Sequence, residues 1–239
     1  VGCIIKSTPV ARIYGNEFNR MYEQGLFHRA KNKGHKPAPT KFELNNGESI
    51  TVGFSPQDYA VKNIVAPRIK QARRSIDVAV FYLTHKYLTA DLIKAHQRGV
   101  KVRIIIDATS AQNGYTQHRI LRAAGIPVKV ENWGGKMHMK AACIDGEYLV
   151  LGSMNWTTAG ERNNDENILL LESIEKSSGY IKFFNTLWNS IPTRCLTSDP
   201  DPECLASLGS TSDGIDNDFD DQVDGRDTNA GKMAFNTAR

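Results

Sequence analysis

His138 and Lys140 stand at the head of the spacing H-x-K-x4-D-x6-G-S-x-N, which continues through Asp145, Gly152, Ser153 and Asn155. Two residues apart on a strand, the His138 and Lys140 side chains share one face about 7 Å apart along the chain, within reach of a single phosphate. A neutral imidazole is a competent nucleophile and proton carrier near pH 7, and lysine supplies fixed positive charge for phosphate oxygens. Ser153 and Asn155 share a face in the same way and offer uncharged donors to the oxygens of a five-coordinate phosphorus. Asp145 opens the dipeptide Asp145-Gly146, so it reads equally well as a turn residue and as a catalytic carboxylate.

Six typed positions at fixed spacing arise by chance on the order of once in 10^5 to 10^6 sequences of average composition. The pattern resembles the HKD motif of the phospholipase D superfamily, and Trp156-Thr157 followed by Asn164-Asp165-Glu166-Asn167 continues the likeness, which covers roughly residues 50–190. The resemblance implies a phosphodiesterase in which His138 attacks phosphorus, a second histidine protonates the leaving alcohol, and water releases the product. It also implies that catalysis needs no metal, and that Asp145 is a supporting charge. Glu166 is the candidate for holding the ring nitrogen of His138 that does not attack, as a triad carboxylate would, the alternative being a surface acid.

The family's site normally joins two HKD motifs, and this sequence holds one. His28, His35, His85, His96 and His118 have no lysine two positions on and read as surface or satisfied histidines. The partner motif is therefore expected from a missing N-terminal copy or from a second identical chain.

The elements that must position these residues follow from periodicity. Ile76, Val78, Val80 and Tyr82 alternate as a half-buried strand does, and so do Val100, Val102, Ile104 and Ile106. Between them Leu88, Leu92 and Ala95 share a helical face that ends at Gly99. A helix near 117–124 stops at Gly125 and feeds a strand over 126–130. Two strands closed by Asp145-Gly146 follow, then a strand over 168–171 and a helix carrying Tyr180, Phe183, Phe184, Leu187 and Trp188. A helix over 57–74 contains Pro67 and should kink or restart there. The order βαβαβββα predicts an α/β layered sandwich, a mixed β-sheet flanked by helices.

Residues 3–22 align with 169–188 at a constant offset of 166, with Ser7, Tyr14, Phe18 and Asn19 falling on Ser173, Tyr180, Phe184 and Asn185. Shared strand-helix periodicity could produce this, but the match also reads as a duplication. Residues 1–25 are then the closing strand and helix of a preceding copy, 26–49 a basic linker, 50–194 the HKD domain and 195–239 an acidic tail.

Net charge is +4, yet residues 196–239 carry ten acids against three bases, leaving +11 on residues 1–195. That charge suits a phosphate-bearing partner, whether nucleic acid or anionic lipid. No apolar run approaches the roughly 20 residues of a membrane-spanning helix. In the tail, Asp216, Asp218, Asp220, Asp224 and Asp227 fall at positions 1, 3, 5, 9 and 12 of a calcium loop, but Asp221 occupies position 6 where glycine is usual and no flanking helices are evident. Calcium binding and a solvated acidic tail both remain open.

Cys3 and Cys143 sit in apolar runs and read as buried strand residues. Cys195 and Cys204 bracket a polar, proline-rich segment suited to a short-loop disulfide, which points to a secreted or periplasmic location. The chain opens on a strand-like run with no signal segment, as a processed or cut chain would. The phosphodiester substrate is expected to be a phospholipid first; nucleic-acid cleavage and a non-enzymatic phosphodiester-binding half-site are the alternatives.

Overall fold

The computed structural model describes residues 2–200 apart from 37, 45–46 and 134–135. Cys204 and the set Asp216, Asp218, Asp220, Asp224 and Asp227 lie outside the described residues. Eight strands form one sheet in the order β1-β2-β8-β7-β6-β3-β4-β5. They are β1 (Thr40–Glu43), β2 (Ser49–Ser55), β3 (Ser75–Val80), β4 (Lys101–Ile106), β5 (Val128–Val130), β6 (Lys140–Ile144), β7 (Tyr148–Gly152) and β8 (Glu166–Glu172). β3, β4 and β5 run parallel, and every other pairing is antiparallel.

Both faces of the sheet are covered. Ile76, Val78 and Val80 of β3 and Ile104 and Ile106 of β4 pack with Leu88 and Leu92 of α3 (Lys86–Gln97) and Leu121 of α5 (His118–Ala123). Ala79, Ile105, Ala141, Cys143 and Leu171 face the other way, toward Tyr180 and Phe184 of α7 (Ile174–Ser190) and Val10 of α1 (Thr8–Tyr22). β3 is thus buried on both sides rather than half-buried. The expected polar face carries Asp77, which stays buried because Arg103 on β4 donates two hydrogen bonds to it, at 2.7 and 3.0 Å.

The expected order βαβαβββα is present from β3 to α7, and Gly99 and Gly125 end α3 and α5 at φ +91° and +86°. Around Pro67 the helix restarts: a wide turn over Val61–Val65 runs into α2 (Ala66–Gln71), with proline in its first turn where no N–H is needed. Two further short helices, α4 (Ala108–Ala111) and α6 (Thr158–Arg162), follow β4 and β7.

The N-terminal third departs from expectation. The stretch read as a basic linker holds a 3₁₀ turn (His28–Asn32) and β1, and Lys31 is buried with its Nζ bonded to Glu17 (2.6 Å) and Asp165 (2.8 Å). Those two carboxylates hold α1 and the turn against the main domain, with Gln57 adding two bonds to Glu17 at 2.9 Å. Cys3 is exposed and outside any strand, whereas Cys143 is buried in β6 as expected. Cys195 is also buried, packed with Phe184 and Ile191, so the segment opening the acidic tail is anchored rather than solvated. Asp199 completes that anchor through Arg122 (2.6 Å) and His118 (3.0 Å).

Gly152 is required by close approach. A side chain there would collide with the carbonyl oxygen of Asn167 across the β7–β8 pairing. Gly152→Ala is expected to destabilise the fold by about 1–3 kcal/mol through that overlap, read as a lower midpoint in chemical denaturation.

Candidate active site

The site lies where strand ends converge. β3 and β7 finish there and β6 and β8 begin there, because the antiparallel pairing sets Val80 opposite Lys140 and Gly152 opposite Ile168. The pairing continues past β3, with Phe81 N donating to Met139 O at 2.7 Å. His138 itself precedes β6, in a turn where its N–H donates to Lys136 O at 2.9 Å, so the expected strand placement holds for Lys140 and not for His138.

Phe81 is the floor. The His138 ring meets it edge-on with centroids 4.7 Å apart, and Lys140 Nζ lies 5.1 Å above the same ring. Lys140 Nζ also donates to the backbone oxygen of His138 at 2.8 Å. Residues 137–141, Leu151 and Gly152 line a cleft of about 340 Å³ above the pair. Sequence reasoning missed Phe81, since an aromatic directly after an apolar strand reads as core.

Burial, with help from Lys140, lowers the pKa of His138 and so favours its neutral form. Burial also pushes Lys140 down, to about 8, against the charges of Glu166 and Asp107. The lysine is therefore mostly charged at pH 7 and loses its charge as pH rises through about 8. A bound phosphate dianion would raise it again.

Ser153 Oγ accepts from both the backbone N (3.1 Å) and the side-chain nitrogen (3.2 Å) of Asn167, which leaves its own O–H to donate outward. Asn167 is held in turn by the Tyr14 hydroxyl, which donates to its Oδ1 at 3.1 Å. Asn167 was visible in the sequence beside Glu166, but its partners, 14 and 153 residues away, were not. Asn155 is half-buried behind the strand end, its side-chain oxygen buried without a partner among the described residues.

Two expected carboxylate roles change. Glu166 accepts from Asn164 at 3.4 Å, and among the described residues no hydrogen bond joins it to His138. Asp145 lies at the opposite end of β6, about 16 Å from Lys140 along the strand. Its carboxylate accepts the backbone N–H groups of Arg73, Arg74 and Ser75 at 2.7–3.1 Å and ties the turn to the start of β3. It is a turn-anchoring residue, with φ +56°. Four of the five remaining histidines are paired with carboxylates: His28 with Asp165, His35 with Asp58, His85 with Glu161 and His118 with Asp199.

An imidazole and an ammonium thus share one aromatic floor at the end of an α/β sheet, a pairing of groups suited to a phosphate-bearing ligand. The chain belongs to the phospholipase D-like family: residues 65–188, more than half its length, match the model described as "Cardiolipin synthase, PLD-like domain". It is 36% identical over 124 residues to mitochondrial cardiolipin hydrolase of Mus musculus, covering 52% of this chain and 56% of that one. It is 29% identical over 152 residues to phospholipase D of Rickettsia bellii, covering 62% and 75%. The chain spans about half the length of the curated cardiolipin hydrolases it matches. Among solved structures, Nuc from Salmonella typhimurium, a phospholipase D family member, superposes with a TM-score of 0.57 at 25% identity, covering 61% of this chain and 97% of that one. NucT from Helicobacter pylori gives 0.58 at 24%, covering 60% and 98%.

Among the described residues no group of three or more His, Cys, Asp and Glu is placed to hold a metal ion, and no helix is long and apolar enough to cross a membrane.

Two outcomes test the geometry. Affinity for inorganic phosphate, followed by 31P NMR, is expected to weaken as pH rises through about 8 and to lose that step in Lys140→Met. Asp145→Ala is expected to cost on the order of 1–3 kcal/mol in denaturation, because three N–H groups lose their acceptor, while leaving the phosphate titration in place.

Proposed function

We propose that this chain is a phosphodiesterase that works through a phosphohistidine, with a phospholipid as first-choice substrate. The observation that carries the reading is the placement of His138 and Lys140 on one Phe81 ring, with the imidazole held toward its neutral form. A ring nitrogen of His138 forms a bond to phosphorus as the P–O bond to the leaving alcohol breaks, and a second histidine gives that oxygen its proton. Water then attacks phosphorus, the P–N bond breaks, and the proton from water passes to the second histidine. Lys140 balances charge on the phosphoryl oxygens, and the Ser153 hydroxyl donates to one of them.

The second histidine belongs to another copy of the domain. The offset of 166 pairs Ile4, 93% exposed, with Leu170, 3% exposed, and Phe18, 56% exposed, with Phe184, 0% exposed. Both α1 and α7 are capped by the serine of the repeat, Ser7 and Ser173. Residues that close a core in one copy thus lie bare in the other, which supports a further copy of the domain covering them, supplied upstream or by a second identical chain.

Phospholipid is preferred because curated relatives carry the names cardiolipin hydrolase and phospholipase D. The charge of +11 on residues 1–195 favours the second reading, metal-independent cleavage of DNA or RNA.

The deciding experiment presents phosphatidylcholine vesicles, single-stranded DNA and duplex DNA in chelator, with acid-quenched mass spectrometry for phosphohistidine. Vesicle hydrolysis with phosphate on His138, lost in His138→Ala together with on the order of 10^3-fold or more in rate, is the expected result. DNA cleavage without vesicle hydrolysis would establish the nuclease reading. A chain that sediments as a monomer yet turns over bis-p-nitrophenyl phosphate would overturn the shared site.

A further inference from the structure

Beneath the segment that delivers His138 lie two carboxyl groups that the reaction does not use. Asp107 follows β4 and Glu131 follows β5, and both are 0% exposed. Asp107 Oδ1 accepts Ser110 N at 3.1 Å and caps α4, while its Oδ2 accepts Met137 N at 2.8 Å, one residue before His138. Glu131 Oε1 accepts Ala108 N at 2.8 Å and its Oε2 accepts Trp133 N at 3.1 Å. The two carboxyl groups are neighbours: Glu131 Oε1 takes the N–H of the residue after Asp107, and Glu131 N donates to the backbone oxygen of Ile106, the residue before it, at 3.0 Å.

Neighbouring carboxyl groups with no exposure to solvent disfavour double ionisation, which favours one proton held within the pair. Burial raises both groups, Glu131 to about 8 with the charge of Asp107 adding to the rise, whereas Asp107 is opposed by the Ser110 and Met137 N–H groups. Glu131 is thus the more strongly raised of the two acids and the one disposed to keep a proton. The other charged or titratable groups around the pair are Lys136 on the same loop, Cys195 after α7, and His138 and Lys140 in the site. Lys129 of β5 lies beyond Cys195, its Nζ bonded to the backbone oxygens of Trp188 and Ile191.

We propose that Asp107 and Glu131 form a proton-dependent clamp that positions His138: Glu131 donates to Asp107, and Asp107 holds the Met137 N–H that sets where the next residue's ring stands. Both are positioning residues. Neither lies on the Phe81 floor with His138 and Lys140, and Asp107 is the side-chain acceptor described for the backbone N–H groups from Met137 to Lys140. Loss of the shared proton leaves two buried anions side by side and loosens the segment.

The sign follows from the raised acid. Stability held by the Glu131 proton is complete below its ordinary 4.5 and is lost as pH rises to about 8. Lys140 loses its charge near the same pH, so a kinetic profile cannot separate the two, and the clamp is read instead on the backbone.

In the full chain, the Met137 amide followed by 15N–1H NMR is expected to shift and to lose exchange protection with a midpoint near pH 8. Glu131→Gln, which keeps a donor to Asp107 but cannot ionise, is expected to abolish that transition, and Glu131→Ala to leave the amide unprotected throughout. Asp107→Ala, which removes the acceptor, is expected to expose Met137 at every pH and to lower kcat roughly 10- to 100-fold through misplacement of the ring, with KM changed little. A Met137 transition unaltered in Glu131→Gln, or full protection in a folded Asp107→Ala, would overturn the clamp. The kinetic arm rests on His138 as the nucleophile; the NMR arm does not, so wild-type chain without turnover but with the Met137 transition would count against the enzyme reading alone.

Discussion

The structure depends on β6 being hydrogen-bonded along both edges, to β3 on one side and β7 on the other, in the interior of an eight-stranded sheet. A strand so placed has no freedom to slide, because a one-residue slip would exchange Ala142 and Ile144 with Ala141 and Cys143 between two different apolar layers. Lys140 opens that strand. Its backbone is therefore fixed by the core, and the side chain emerges at the sheet's end, where apolar cover stops and polar groups can meet solvent. Register and chemistry are joined at that residue.

Everything polar in the site is a solution to the same problem of finding partners at the rim of a dry sheet. Lys140 bonds the backbone of His138 and lies over Phe81; Ser153 accepts from Asn167; Asn167 is reached by Tyr14 from α1. The helix α1 is held in turn through Glu17, Lys31 and Asp165, a buried ionic group whose last member is next to Glu166. The N-terminal residues thus belong to the site's support, although none supplies a reacting atom.

Much of the fold was legible because its central strands and helices are strongly periodic and are closed by glycines at positive φ. β1 and β2 were missed. β2, Ser-Ile-Thr-Val-Gly-Phe-Ser, alternates as well as any strand in the chain, but it follows a basic segment whose composition suggests a spacer. Its role becomes apparent only when seven of its residues pair with β8. The buried state of Lys31 was hidden for a similar reason, since a lysine among basic neighbours reads as solvated until carboxylates 14 and 134 residues away are brought to it.

By itself the sequence determined the chemistry available here: the types and spacing of His138, Lys140, Gly152, Ser153 and Asn155, and the alternation that places them at element ends. Spacing along a strand is a local geometric quantity and survives without knowledge of the rest of the molecule. Which of the motif's residues stand together was settled by tertiary contacts alone. They sent Asp145 to the far end of β6 to hold three N–H groups, set Phe81 under His138 and Lys140, and buried Asp107 with Glu131 beneath Met137. Those assignments rest on pairings between segments distant in the chain and on the cost of burying charge, neither of which a linear pattern expresses.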